Sequence, residues 1–188
     1  APQMLEHVKE IVMLPESFDN LSYTGAAWPT RVILTVDATK SDVFHEVAHV
    51  HSYRVPAEFW IQWKAVSGEH YIHKNLPWLA YLDGRFSMTK DLPVRSKYSP
   101  SKGFVREYGA ENCFEDVATF VAEVYDPIRA QLMEVDSDEV NVYITKLDLL
   151  EQYGFITEEL KCNAMERLSL RHPDFLNEII EKYVADMP

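Results

Sequence analysis

The stretch Phe44-His45-Glu46-Val47-Ala48-His49-Val50-His51 constrains this chain more than any other. Two histidines four apart act together only if the backbone between them is helical, where they lie about 40° and one turn apart. Both imidazoles can then reach one tetrahedral metal at about 2.0–2.1 Å. Glu46 falls about 100° round from His45, so it flanks the metal without ligating it. In the pattern His-Glu-x-x-His the expected ion is one zinc, and the glutamate takes a proton from the zinc-bound water. The plain alternative is a chance occurrence of a short motif on a half-buried helix. The rest of the chain has to decide between them.

A 188-residue chain with 47% hydrophobic content is enough for one domain with a sizeable core, here taken as residues 1–188. Its core motifs are expected within 30–125, and a helical C-terminal part over 138–186. No apolar run approaches 18 residues, so no membrane-spanning helix is expected. Eighteen basic against 30 acidic residues leave a net charge of −12. No basic patch stands out, which argues against nucleic acid and anionic membranes as partners. Ala1-Pro2-Gln3 is not a signal peptide and reads as a mature or trimmed end. A removed export signal would leave no trace, and a secreted or periplasmic setting is favoured over the cytoplasm. Cys113 and Cys162 are two buried thiols or one disulfide.

Met4, Leu5, Val8, Ile11 and Val12 recur at helical spacing, so a helix is expected over 3–14, ended by Pro15. Asp19, Asn20 and Gly25 then mark a loop. Arg31 to Asp37, rich in β-branched residues, reads as a strand. Ser41 is the expected N-cap of a helix over about 42–53, with Val43, Val47 and Val50 as its apolar stripe. Pro56 opens a further helix over about 56–66 carrying Phe59, Trp60 and Trp63. From Ser67 to Gly103 no period emerges. The aromatics there (Tyr71, Trp78, Tyr81, Phe86 and Tyr98) either wall a cleft or cover the core.

Phe114, Val117, Ala118, Val121 and Tyr125 form one face of a helix whose start carries Asn112 and Glu115 at capping-pair spacing. Glu115 therefore either caps its own helix or projects to the histidines as a third ligand. A catalytic zinc needs three protein ligands and one open position. His51, about 200° from His49, reads as a surface or supporting histidine rather than a ligand. His70 and His73 lack a third partner, and Cys113 reads as a buried structural thiol.

The segment Tyr108-Gly109-Ala110-x-Asn112-x-x-Glu115-Asp116-x-Ala118 resembles the second motif of the glutamate-ligand zincins, or gluzincins. Within them it is most similar to the anthrax lethal factor catalytic domain, the bacterial Pro-Pro endopeptidases and the Mlc titration factor A peptidases. Gly103-Phe104-Val105 and Lys146-x-x-Leu149-Leu150-x-x-x-Gly154-Phe155 also resemble small bacterial proteins of this group. The likeness covers roughly residues 30–155, and only the two metal motifs are specific. It implies zinc ligation by His45, His49 and Glu115. It also implies a Tyr108 hydroxyl directed at the substrate carbonyl, because a tyrosine seven residues before the ligand glutamate is the group's spacing.

The chain departs from related patterns in defined ways. Ser52 and Val55 stand where a metzincin needs Gly and a third His. A thermolysin-like reading would take Glu111 as ligand with Glu115 behind it, but Phe104 then occupies the tyrosine position. Thr119 stands where lethal factor has its second glutamate, so the carboxylate backing the histidines is assigned to Asp116.

Beyond residue 136 the chain reads as packing helices. Val140, Tyr143, Ile144, Leu147 and Leu150 end at Gly154, Thr157 caps the next helix, and a last one follows Pro173. The expected fold is a mainly helical α+β domain of zincin type, with a small sheet over the histidine helix. The expected function is zinc-dependent endopeptidase, with Glu46 as general base and Tyr108 as oxyanion stabiliser. A peptide or protein substrate is the implied partner, and a monomer is favoured. The rivals are a zinc-binding module that recognises peptides without cutting them, and hydrolysis of a non-peptide amide.

Overall fold

A computed structural model of the chain describes residues 3–15, 24–67, 70–71, 103–126 and 140–172. Within them a 3-10 turn, Gln3–His7, leads into strand β1 (Glu10–Leu14). Strands β2 (Gly25–Trp28) and β3 (Arg31–Thr35) follow, then helices α1 (Lys40–Ser52) and α2 (Ala57–Ser67). A second 3-10 turn, Glu107–Ala110, precedes α3 (Cys113–Tyr125), α4 (Val140–Gln152) and α5 (Glu158–Arg171). The described chain is thus mainly helical with one three-stranded sheet.

The sheet has the order β1-β3-β2, with β1 parallel and β2 antiparallel to the central strand. Residues 3–14 do not form the expected helix. Glu10 to Leu14 lie in register against Arg31 to Thr35, and that pairing overrides a spacing that local sequence reads equally well as helical. β2 replaces an expected loop. Gly25, Ala26 and Ala27 carry little strand propensity, and they are extended because β3 folds back on them across Pro29 and Thr30.

Thr39, rather than Ser41, caps α1. Its hydroxyl accepts from the Asp42 backbone N–H at 3.3 Å, and the Asp42 carboxylate accepts from the Thr39 N–H at 2.7 Å. This reciprocal box satisfies two orphan donors at the helix start. Val47, Ala48 and Val50 are buried, and α1 packs chiefly on α3. α3 is buried on every side from Cys113 to Val124, not on one face alone. Gly154 ends α4 as expected. Its φ of +78° is the left-handed conformation that favours glycine, and the Phe155 N–H reaches the Leu150 carbonyl at 2.9 Å. Thr157 caps α5 through the Leu160 N–H at 3.3 Å.

Cys113 is buried and Cys162 exposed, and both are free thiols. Burial pushes the Cys113 thiol up to about 11. No helix among the described residues is long and apolar enough to cross a membrane. Asp19, Asn20, His73, Trp78, Tyr81, Phe86, Tyr98 and the helix expected after Pro173 lie outside the described residues.

Candidate metal centre

α1 and α3 bring together three side chains from opposite ends of the central sequence. His45 Nε2 lies 3.1 Å from Glu115 Oε2, His49 Nε2 lies 3.3 Å from the same oxygen, and the two ring nitrogens are 3.1 Å apart. Among the described residues this is the one group of three or more His, Cys, Asp or Glu side chains whose ligand atoms converge. Glu111, the ligand of the thermolysin-like alternative, is not part of it.

Glu115 reaches the histidines from the first turn of α3, whose N-cap is Asn112. Asn112 Oδ1 accepts from the backbone N–H groups of Phe114 and Glu115 at 2.9 and 3.1 Å. Such a cap contributes about 1 kcal/mol. It leaves the Glu115 carboxylate, only 2% exposed, directed at His45 and His49.

The triangle is poorly suited to hydrogen bonding alone. Each imidazole Nε2 has a single in-plane direction, holding either N–H or a lone pair. It cannot serve two neighbours well at once. Donors around a tetrahedral zinc stand about 3.3–3.4 Å apart when each bond is about 2.0–2.1 Å, close to the three edges observed. Two imidazoles and one carboxylate therefore fit a zinc ion in both spacing and donor type. Without a metal the same three groups pair electrostatically with one another. Burial pushes Glu115 up, but His49 and His45 outweigh it and hold the acid well below the usual carboxylate range. Burial likewise pulls His49 down, while Glu115 and Glu46 outweigh that and raise it.

Glu46 lies on the side of α1 that faces β2. It is 8% exposed, and its carboxylate rests against Gly25. Tyr108, half-buried on the 3-10 turn, has its ring tilted over His45 with centroids 5.8 Å apart. Two features hold that turn. Gly109 fits against α3 so closely that a Cβ there would lie 2.7 Å from Thr119 Oγ1. Arg106 Nη2 donates to Ser41 Oγ on α1 at 3.1 Å and to Glu123 Oε2 on α3 at 3.0 Å.

Asp116 does not take the role expected of it behind the histidines. Its Oδ2 accepts from Trp63 Nε1 at 2.8 Å, from the Tyr71 hydroxyl at 2.6 Å and from Lys146 Nζ at 2.7 Å. Lys146 also donates to the Gly103 carbonyl at 2.6 Å, and neither charged side chain has any exposure. One residue round the helix from Glu115 turns the side chain by about 100°, into the core instead of the cluster. Lys146, in a stretch expected only to pack, is the partner sequence reasoning missed. A lone lysine in an apolar helical stripe was the available signal.

His51 is likewise neither at the surface nor beside the cluster. It is 4% exposed, its Nε2 donates to the Tyr153 carbonyl at 2.8 Å, and its ring packs edge-on to Phe155. Burial lowers its pKa. His70 is exposed.

Comparison with protein-family models, with curated proteins and with solved structures finds no match to this chain. The functional reading rests on the residues and their arrangement.

Proposed function

We propose that this chain is a zinc-dependent endopeptidase of the zincin fold, with the gluzincin ligand set. The observation that carries the reading is the triangle of His45 Nε2, His49 Nε2 and Glu115 Oε2, with edges of 3.1–3.3 Å. Those three side chains would hold the zinc. Bound there, zinc supplies a Lewis acid that polarises a carbonyl and lowers the pKa of water to about 7.

The chain's own groups supply the rest. The Glu46 carboxylate, buried beside the histidines, accepts the proton of the attacking water and delivers it to the leaving amine nitrogen. The Tyr108 hydroxyl donates a hydrogen bond to the carbonyl oxygen as negative charge develops on it. Among the described residues β2 pairs with β3 alone. Its other edge offers backbone N–H and C=O groups to an extended peptide, and its first residue, Gly25, adjoins Glu46. A peptide added to that edge passes beside the proton acceptor.

Purified protein loaded with one zinc per chain is expected to cut members of a mixed peptide library, and a chelator should stop the cutting. Glu46→Gln should retain the zinc and lose hydrolysis by several orders of magnitude. Full turnover by that variant would sink the mechanism. Zinc retention by the unaltered chain with no peptide cut at all would favour a binding module instead.

A further inference from the structure

We infer that Gly25 is a positioning residue for Glu46: the side chain that Gly25 lacks is the space in which the Glu46 carboxylate is seated. The inference rests on the reading of Glu46 as proton acceptor. A Cβ built on Gly25 would lie 2.6 Å from Glu46 Cγ, 2.9 Å from Oε1 and 3.0 Å from Cδ. The first two distances are shorter than real Cβ atoms show, and the third is tighter than most. The backbone of Gly25 is ordinary strand, paired with Leu34 of β3, so the demand for glycine is one of space, not of a left-handed conformation.

The closest atom is decisive. An overlap at Oε1 alone would be relieved by turning the end of a flexible side chain. An overlap at Cγ is relieved only by changing χ1 or by moving β2 off α1, and either change carries the whole carboxylate away. The other side of the residue leaves little room, since Glu46 is 8% exposed and its neighbours His45 and His49 belong to the triangle. β2 cannot withdraw freely, because Gly25 to Trp28 are registered against Leu34 to Arg31 and β3 is buried at Val32 and Leu34. Strand and helix thus form the two jaws of a seat whose depth is set by the missing methyl group. Displacement of a reacting group by about 1 Å costs on the order of 100-fold in rate.

The test is a four-member thermal unfolding series: the unaltered chain, Gly25→Ala, Glu46→Ala and the double variant, each measured metal-free and zinc-loaded. With Glu46 present, Gly25→Ala should lower Tm by on the order of 5 °C. In the Glu46→Ala background, where Cγ, Cδ and Oε1 are gone, the same substitution should leave Tm unchanged or raise it slightly. Zinc per chain should stay at one for Gly25→Ala, while its kcat on a peptide cut by the unaltered chain falls about 100-fold. Equal Tm losses in both backgrounds would overturn the inference, and so would undiminished kcat in Gly25→Ala. If the unaltered chain cuts no peptide, the peptidase reading falls, and the Tm series still decides whether Gly25 seats Glu46.

Discussion

Glu46 carries a conflict between burial and charge. Burial raises its pKa above the ordinary carboxyl value and outweighs the opposing pull of His45 and His49, with Glu115 and Asp42 adding to the rise. A carboxyl whose folded pKa is raised binds protons in the folded state that the unfolded chain has already released. Stability of the metal-free protein therefore falls as pH rises from about 4.3, the unfolded value, through the folded pKa, and the deficit persists above it. Glu46→Gln removes the charge and the deficit. Its metal-free Tm should exceed that of the unaltered chain by about 2–4 °C at pH 7 and by much less at pH 4. Equal gaps at both pH values would contradict the argument. At this scale the pairing of His45 with His49 was legible because helical spacing is written in consecutive residues, whereas Glu115 was picked out by its spacing behind Tyr108 in the gluzincin-like segment and its capping spacing pointed the other way. Gly25 was not, since a glycine beside turn formers reads as loop until the helix it faces is known. Asp116 was misread because adjacency in sequence to Glu115 says nothing about which side of the helix it occupies.

α3 owes its placement to charge as well as to apolar contact. The Lys146–Asp116 pair joins α4 to the first turn of α3, and Trp63 and Tyr71 close the same oxygen from α2 and the residues after it. Burial lowers the Lys146 pKa against the pull of Asp116. Removing one member of such a pair strands a buried charge and costs about 3–5 kcal/mol. Lys146→Met should accordingly lower Tm by about 10 °C and weaken zinc binding, because the loosened turn carries Glu115. Adding Asp116→Asn should recover part of the Tm, which calorimetry and a chelator competition would measure side by side. The helices were the readable elements. α1, α3 and α4 each carry a periodic stripe, and a cap or glycine stop marks an end of these and of α5 in local sequence. β1 and β2 were not readable, because both are extended through pairing with β3 rather than through their own residues.

Across the whole molecule, the proposed zinc site ties together α1 and α3 through ligands 70 residues apart. A ligand that binds only the folded arrangement stabilises it by about 2.7 kcal/mol at 100 times its dissociation constant. Zinc should therefore raise Tm by about 5–10 °C, a chelator should reverse the rise, and His49→Ala should abolish it. No shift in the unaltered chain would remove zinc from the site. The mainly helical architecture was legible from its periodic segments, whereas the packing of Lys146 against Asp116 depends on contacts 30 residues apart that no local pattern encodes.

That last separation also sets an order in time. Synthesis proceeds at about 5–20 residues per second, with N-terminal parts folding first. Glu115 is made about 4–14 s after His45, and Lys146 about 2–6 s later still. A growing chain has both histidines long before it has the glutamate, and the glutamate before the lysine that roots its helix. Until residue 115 is made the proposed centre lacks its third ligand, and until residue 146 is made the helix bearing that ligand lacks its buried ion-pair partner.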